Sequence, residues 1–205
     1  MISATVVISS RGGAVQHLGG MLGQYEYLED KEYYVQTSTE RCEEWFRARY
    51  LFRDEDDKWW VSDIPGEKIG WLYNPRSSQT LPSSGWRYAD NGSWHDDLTM
   101  TVTPGPLTLP RQFEVTIMGA AAERHPTYQG VFTKRERWLY GRPVYVNKHG
   151  RTLHHGGTWE IGYNLGQHSP VRGSRARDSP VNEKSWTYWT GSERKPALVT
   201  VTGSN

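Results

Sequence analysis

The residues of this chain able to do chemistry are its seven histidines, its carboxylates and one cysteine. Their spacing favours no reaction. His149 comes shortly before the pair His154-His155. If 144–146 and 152–154 form a hairpin, His149 sits at its tip, far from His154. Neighbours along a strand point to opposite faces, so His154 and His155 cannot face one metal. They are expected to be surface or half-buried side chains. Asp54-Glu55-Asp56-Asp57 offers oxygens for calcium. Calcium needs six to eight oxygens with the chain wrapped round it, usually with glycine at the sharp turn. This run has no glycine, and Lys58 follows at once, so it reads as a solvated hairpin tip. Cys42 stands beside Glu43 and Glu44, which disfavour its thiolate, and reads as an inert buried thiol. There is no Gly-x-Ser-x-Gly elbow, phosphate loop or dinucleotide fingerprint. No cofactor or metal is expected. A catalytic reading would need an unfamiliar site among His154, Asp178 and the arginines of the long loop in the second half.

The aromatics remain. The chain carries 10 Trp and 12 Tyr against 4 Phe. Both of the favoured types bury a large body and keep a polar tip. Trp94-His95-Asp96-Asp97 and Arg137-Trp138-Leu139-Tyr140 mix rings with charge. An exposed indole in such company can stack on a sugar face or receive a cation. Trp94, Trp138, Trp71, Trp189 and Tyr140 are therefore the candidate ligand-binding residues, with a glycan or a protein as the partner. The competing reading makes them covers for the edge of a small core. With 24 basic and 23 acidic residues the net charge is +1. No strong field steers the chain toward nucleic acid or anionic membrane. No apolar run approaches a membrane span. A single cysteine and no signal-peptide pattern predict a cytoplasmic protein.

The elements that would position these residues are strands, and they occur twice. In order, Val6-Val7-Ile8 matches Val115-Thr116-Ile117, and Gly23-Gln24-Tyr25 matches Gly130-Val131-Phe132. Residues 31–35 match 142–146, and Tyr50-Leu51-Phe52 matches Arg151-Thr152-Leu153 or one residue along. Next come 59–62 with 159–162, and Thr80-Leu81-Pro82 loosely with Ser179-Pro180. Trp86-Arg87-Tyr88 then matches Trp186-Thr187-Tyr188, and 99–103 matches 198–202. Recurrence of Trp59, Trp86, Trp159 and Trp186 marks them as core more than site. The matched segments are short, β-branched or aromatic, and often alternate, as half-buried strands do. Glu114, Thr116 and Met118 should face one way and Val115 and Ile117 the other. Unit 1 covers 4–103, a proline-rich connector 104–112, and unit 2 113–203. The first unit alone has an insertion, 37–49, where a Thr-to-Glu capping spacing predicts one short helix holding Cys42, Trp45 and Phe46. The polar stretches 72–84 and 164–180 read as long loops, functional or disordered.

Gly141-Arg142-Pro143-Val144-Tyr145-Val146, Trp159-Glu160-Ile161-Gly162, Asp178-Ser179-Pro180 and Trp186-Thr187-Tyr188-Trp189-Thr190-Gly191 together resemble a Trp-rich β repeat found in tandem in many animal and protist proteins. Unit 1 departs from it: Lys31-Glu32 replaces Arg-Pro, and Ala89 stands where the second Trp would be. The resemblance implies a repeated β scaffold and carries no catalytic residue. The expectation is thus an all-β protein of two homologous antiparallel units, of sandwich, barrel or propeller-like form, with pseudo-twofold character. Its expected role is that of a non-catalytic binding module.

Overall fold

The computed structural model describes residues 2–38, 48–165, 169–174, 177 and 179–204. Cys42, most of the insertion with its expected helix, and Asp178 lie outside them. The first nine strands are β1 (Thr5–Ser9), β2 (Gly23–Leu28), β3 (Tyr33–Gln36), β4 (Tyr50–Arg53), β5 (Trp59–Ser62), β6 (Leu72–Asn74), β7 (Arg87–Asp90), β8 (Ser93–Asp96) and β9 (Thr101–Pro104). They form one curled antiparallel sheet in the order β8-β7-β6-β5-β4-β3-β2-β1-β9. The second set is β10 (Gln112–Met118), β11 (Gly130–Leu139), β12 (Arg142–Asn147), β13 (Thr152–His155), β14 (Trp159–Gly162), β15 (Val171–Gly173), β16 (Trp186–Trp189) and β17 (Arg194–Ser204). These eight close into an antiparallel barrel, β17 returning to β10.

The two sheets share one plan. The ladders place Gly23 with Gly130, Tyr34 with Tyr145, Leu51 with Leu153, Trp59 with Trp159, Tyr88 with Tyr188 and Val102 with Val201. The first strand differs from the expected match. Val6 pairs with Tyr25 as Phe113 pairs with Phe132, so Val6 corresponds to Phe113 and not to Val115. One more pair of bonds agrees: Tyr27 N donates to Ala4 O, and Lys134 N donates to Arg111 O, both at 2.9 Å. The slip is of two residues. Side chains repeat with period two on a strand, so such a slip leaves every residue on its proper face and no hydrophobic pattern reveals it.

Alternation sets the cores. Phe113, Val115 and Ile117 are buried while Glu114, Thr116 and Met118 are exposed. Trp86, Trp159 and Trp186 are buried to within 2 % and Trp59 to within 8 %. A buried indole N–H needs an acceptor. The stretches expected as long loops supply three of these acceptors and Glu183, just beyond the second, the fourth: Trp59 Nε1 donates to Ser78 O, Trp86 to Pro82 O, Trp159 to Arg177 O and Trp186 to Glu183 O, at 2.8–3.1 Å. Each stretch also contains a short strand, β6 or β15.

Each sheet has a five-residue helix after its first strand, α1 (Gly13–His17) and α2 (Ala120–Arg124). The sequence predicted neither, because one turn and a half of helix leaves no periodic pattern. The hairpin tip at 147–150 forms as expected, with Gly150 at φ 73°. Asn147 Oδ1 accepts there from the amides of His149 and Arg151. The units differ most at closure. In the barrel one long strand, β17, pairs first with β16 and then with β10, whereas in the first sheet the equivalent run is broken in two, β8 pairing with β7 across the turn at Asn91-Gly92 and β9 pairing with β1.

Candidate functional site

The first sheet leaves a cavity of about 700 Å³ at one end. Its floor is Val6, Val102, Leu81, Tyr27, Tyr34 and Trp59, and its rim carries Lys31, Glu32 and Arg53. Tyr27 and Tyr34 lean on each other at 5.0 Å between ring centroids. Of the floor residues, Val6, Tyr34, Trp59 and Val102 are buried; Lys31, Glu32 and Arg53 are exposed. The cavity is therefore a recess with an apolar, aromatic floor that opens past a polar and charged rim. Its size falls among those of small-ligand sites. On the rim, Lys31 lies 3.5 Å from Asp30, and Arg53 lies 3.0 Å from Asp57.

Comparison with the barrel explains why the recess exists. There the equivalent end is filled. Phe113 stands where the first sheet has Val6, and Leu109 and Pro110 fold over the opening. Tyr145 donates its hydroxyl to Pro110 O at 2.9 Å. The proline ring lies so close over Gly203 that a Cβ there would meet Pro110 Cγ at 2.7 Å. In the first sheet Ser3 stands at the place of Pro110 and Ile2 at that of Leu109. Both sit at the mouth of the recess, and Ile2 is exposed. Tyr34, the counterpart of Tyr145, lines the recess and has no hydrogen-bond partner for its hydroxyl among the described residues. Burial, with Tyr27 adding to it, pushes the Tyr34 phenol above its ordinary value. It stays protonated and is a donor facing the recess.

None of the five sequence-predicted aromatics lines this cavity. Trp71 and Trp94 are nonetheless brought onto one outer face of the first sheet. Ala89 lies between them: its N donates to Trp71 O, and it pairs with Trp94 across β7 and β8. The two indoles are 39 % and 36 % exposed. Trp94 packs edge-on to Tyr73 and Trp60 at 4.5 and 6.0 Å, and Trp71 Nε1 donates to Asp63 at 2.9 Å. Trp189 occupies the place of Ala89 in the barrel and is half-exposed. Trp138 and Tyr140 belong to the β11–β12 hairpin, with Lys134 Nζ 5.4 Å from the Trp138 ring. The recess was missed because its signal is a difference at Val6, and the two-residue slip hid that difference.

The histidine pair is not at the surface, contrary to expectation. His154 and His155 are fully buried on opposite faces of β13. His155 shares the barrel interior with Leu153 and packs edge-on to Trp159 at 5.5 Å. His154 meets Thr152 Oγ1 at 3.2 Å and lies 4.0 Å from Glu160. Burial pushes His154 down to about 4, with Arg137 adding to it. Burial also holds His155 well below its ordinary value. Asp54 at the acidic tip spends one oxygen on the amides of Asp56 and Lys58 and the other on Trp60 Nε1. Among the described residues no group of three metal-ligating side chains converges, and no helix is long and apolar enough to cross a membrane. Compared with family models, curated proteins and solved structures, the chain matches none.

Proposed function

We propose that this protein is a non-catalytic binding module whose site is the recess of the first sheet. The carrying observation is the Tyr34 hydroxyl, a protonated donor without a partner at the wall of a cavity with an apolar floor and a polar rim. The first sheet keeps the scaffold of the barrel with its end left open. A ligand for such a site has an apolar body that covers Val6, Val102 and Trp59 and one acceptor for Tyr34. Binding to the folded state raises stability through linkage. Trp59 lies in the wall and reports occupancy by fluorescence. A neutral probe such as N-phenyl-1-naphthylamine should bind saturably and raise the melting temperature. Val6→Phe, which restores the barrel's residue, should abolish both effects. Binding unchanged by Val6→Phe would refute the site.

A second reading rests on Trp71 and Trp94. Two half-exposed indoles on one face with alanine between them offer a stacking surface for a sugar ring. A glycan titration lost in Trp94→Ala and kept in Val6→Phe would favour that face over the recess.

A further inference from the structure

The chain itself holds a template for what occupies the recess. In the barrel the equivalent space is taken by an extended segment of the connector, Leu109-Pro110. Leu109 packs on the barrel core, the proline ring lies over Gly203, and Pro110 O accepts from Tyr145. We infer that the recess of the first sheet takes an extended peptide segment of the same chemistry. That segment carries an aliphatic residue followed by proline, and the proline carbonyl accepts the Tyr34 hydroxyl. This rests on the reading of the recess as a binding site and names its ligand class.

Three features fit such an occupant. The wall keeps the tyrosine that recognises the carbonyl, at the same ladder position as Tyr145. Val6 in place of Phe113 gives the room that such a segment needs, and Ile2 and Ser3 at the mouth leave the recess open. The charges also fit. Lys31 and Arg53 each have a carboxylate within 4 Å, so the rim presents no free cationic pair for a phosphate or a carboxylate. A neutral stretch of chain suits it better than an anion. Proline adds a fixed φ and an extended preference to the ligand, so little conformational entropy is lost on binding. One departure from the template is Pro104, which stands where the barrel has Gly203. The bound proline ring must therefore lie toward Val6 rather than over the backbone of β9.

The test is titration of the full chain with an acetylated and amidated peptide of residues 106–111, Pro-Leu-Thr-Leu-Pro-Arg, followed by tryptophan fluorescence and calorimetry. Saturable binding is expected. Tyr34→Phe should weaken it about fivefold, as loss of one neutral hydrogen bond does, and replacing the second proline of the peptide by alanine should weaken it further. Tyr34→Phe removes one oxygen and serves where Val6→Phe fails to fold. No binding of the peptide, with N-phenyl-1-naphthylamine still bound, overturns the peptide inference and leaves the recess as a small-molecule site. Failure of both ligands overturns the recess itself. Peptide binding indifferent to Tyr34→Phe overturns the template.

Discussion

Gly23 and Gly141 meet across the junction of the two sheets with no room for a side chain on either. A Cβ on Gly23 would lie 2.7 Å from Gly141 O, and one on Gly141 would lie 2.7 Å from Gln24 N. Both glycines have positive φ, 113° and 68°. The approach lets Gln24 N donate to Gly141 O and Gly141 N donate to Thr37 O, each at 2.9 Å. Arg142, buried beside them, reaches Leu22 O at 3.2 Å. Gly141→Ala should therefore cost about 1–3 kcal/mol through backbone strain and the clash. Urea unfolding measures it, and an unchanged midpoint would mean that the junction does not hold the two sheets together.

The two equivalent tyrosines should respond differently to loss of the hydroxyl. Tyr145→Phe gives up the bond to Pro110 O and should lower stability by about 1 kcal/mol. Tyr34→Phe gives up no protein partner and should leave the ligand-free protein within a few tenths of a kcal/mol of the parent. Thermal melts of both variants decide this. Equal losses would mean that Tyr34 is already engaged.

Acidification should destabilise the barrel in a defined window. The folded barrel keeps His154 and His155 uncharged, mainly through burial. The unfolded chain protonates them near the ordinary value of 6.5. Their contribution is whole above that pH. It falls as the pH drops below 6.5, for His154 until about 4, by up to about 1.4 kcal/mol per pH unit for each histidine. Denaturation midpoints taken at several pH values should show the slope, and His155→Leu should flatten it. A slope unchanged in His155→Leu would place the linkage elsewhere.

Asp97 holds the start of the first sheet together. Its carboxylate accepts from Ser10 Oγ at 2.7 Å, Ala14 N at 3.0 Å and both the amide and hydroxyl of Thr99. Burial works to raise this carboxyl, and the hydrogen bonds outweigh it, leaving it below its ordinary 3.8. Its support is present above that value and is lost as the pH falls below it. Asp97→Asn keeps the shape but turns an acceptor into a donor facing other donors. It should cost about 1–3 kcal/mol. A melting temperature equal to that of the parent protein would show that these bonds are dispensable.

Much of the fold was legible because its strands obey simple periodicity. Trp59 and Trp159 fell on the same rung of the two sheets, Trp86 and Trp186 fell at the start of equivalent strands, and the hairpin at Asn147-Lys148-His149-Gly150 followed from its turn residues. Two features escaped for physical reasons. The strand β8 corresponds to the first residues of β17 but shares no residue type with them, so Trp94 read as a decoration and not as part of a hairpin. Its four residues are all exposed, which leaves no apolar alternation to detect. The recess depends on what lies opposite Tyr34, and register at the first strand is set by long-range pairing that local pattern cannot weigh. The indole caps were invisible too, since they are backbone carbonyls supplied by stretches whose sequence says only polar.

One interrupted strand separates the two copies. In the barrel β17 runs unbroken from its pairing with β16 to its pairing with β10, so a single rod ties those two neighbours together. In the first sheet the equivalent run is broken between Asp96 and Thr101 into β8 and β9. That break is a joint. The β7–β8 end of the first sheet can tilt against β9 and β1 by bending there, whereas β16 cannot move against β10 without bending a continuous strand.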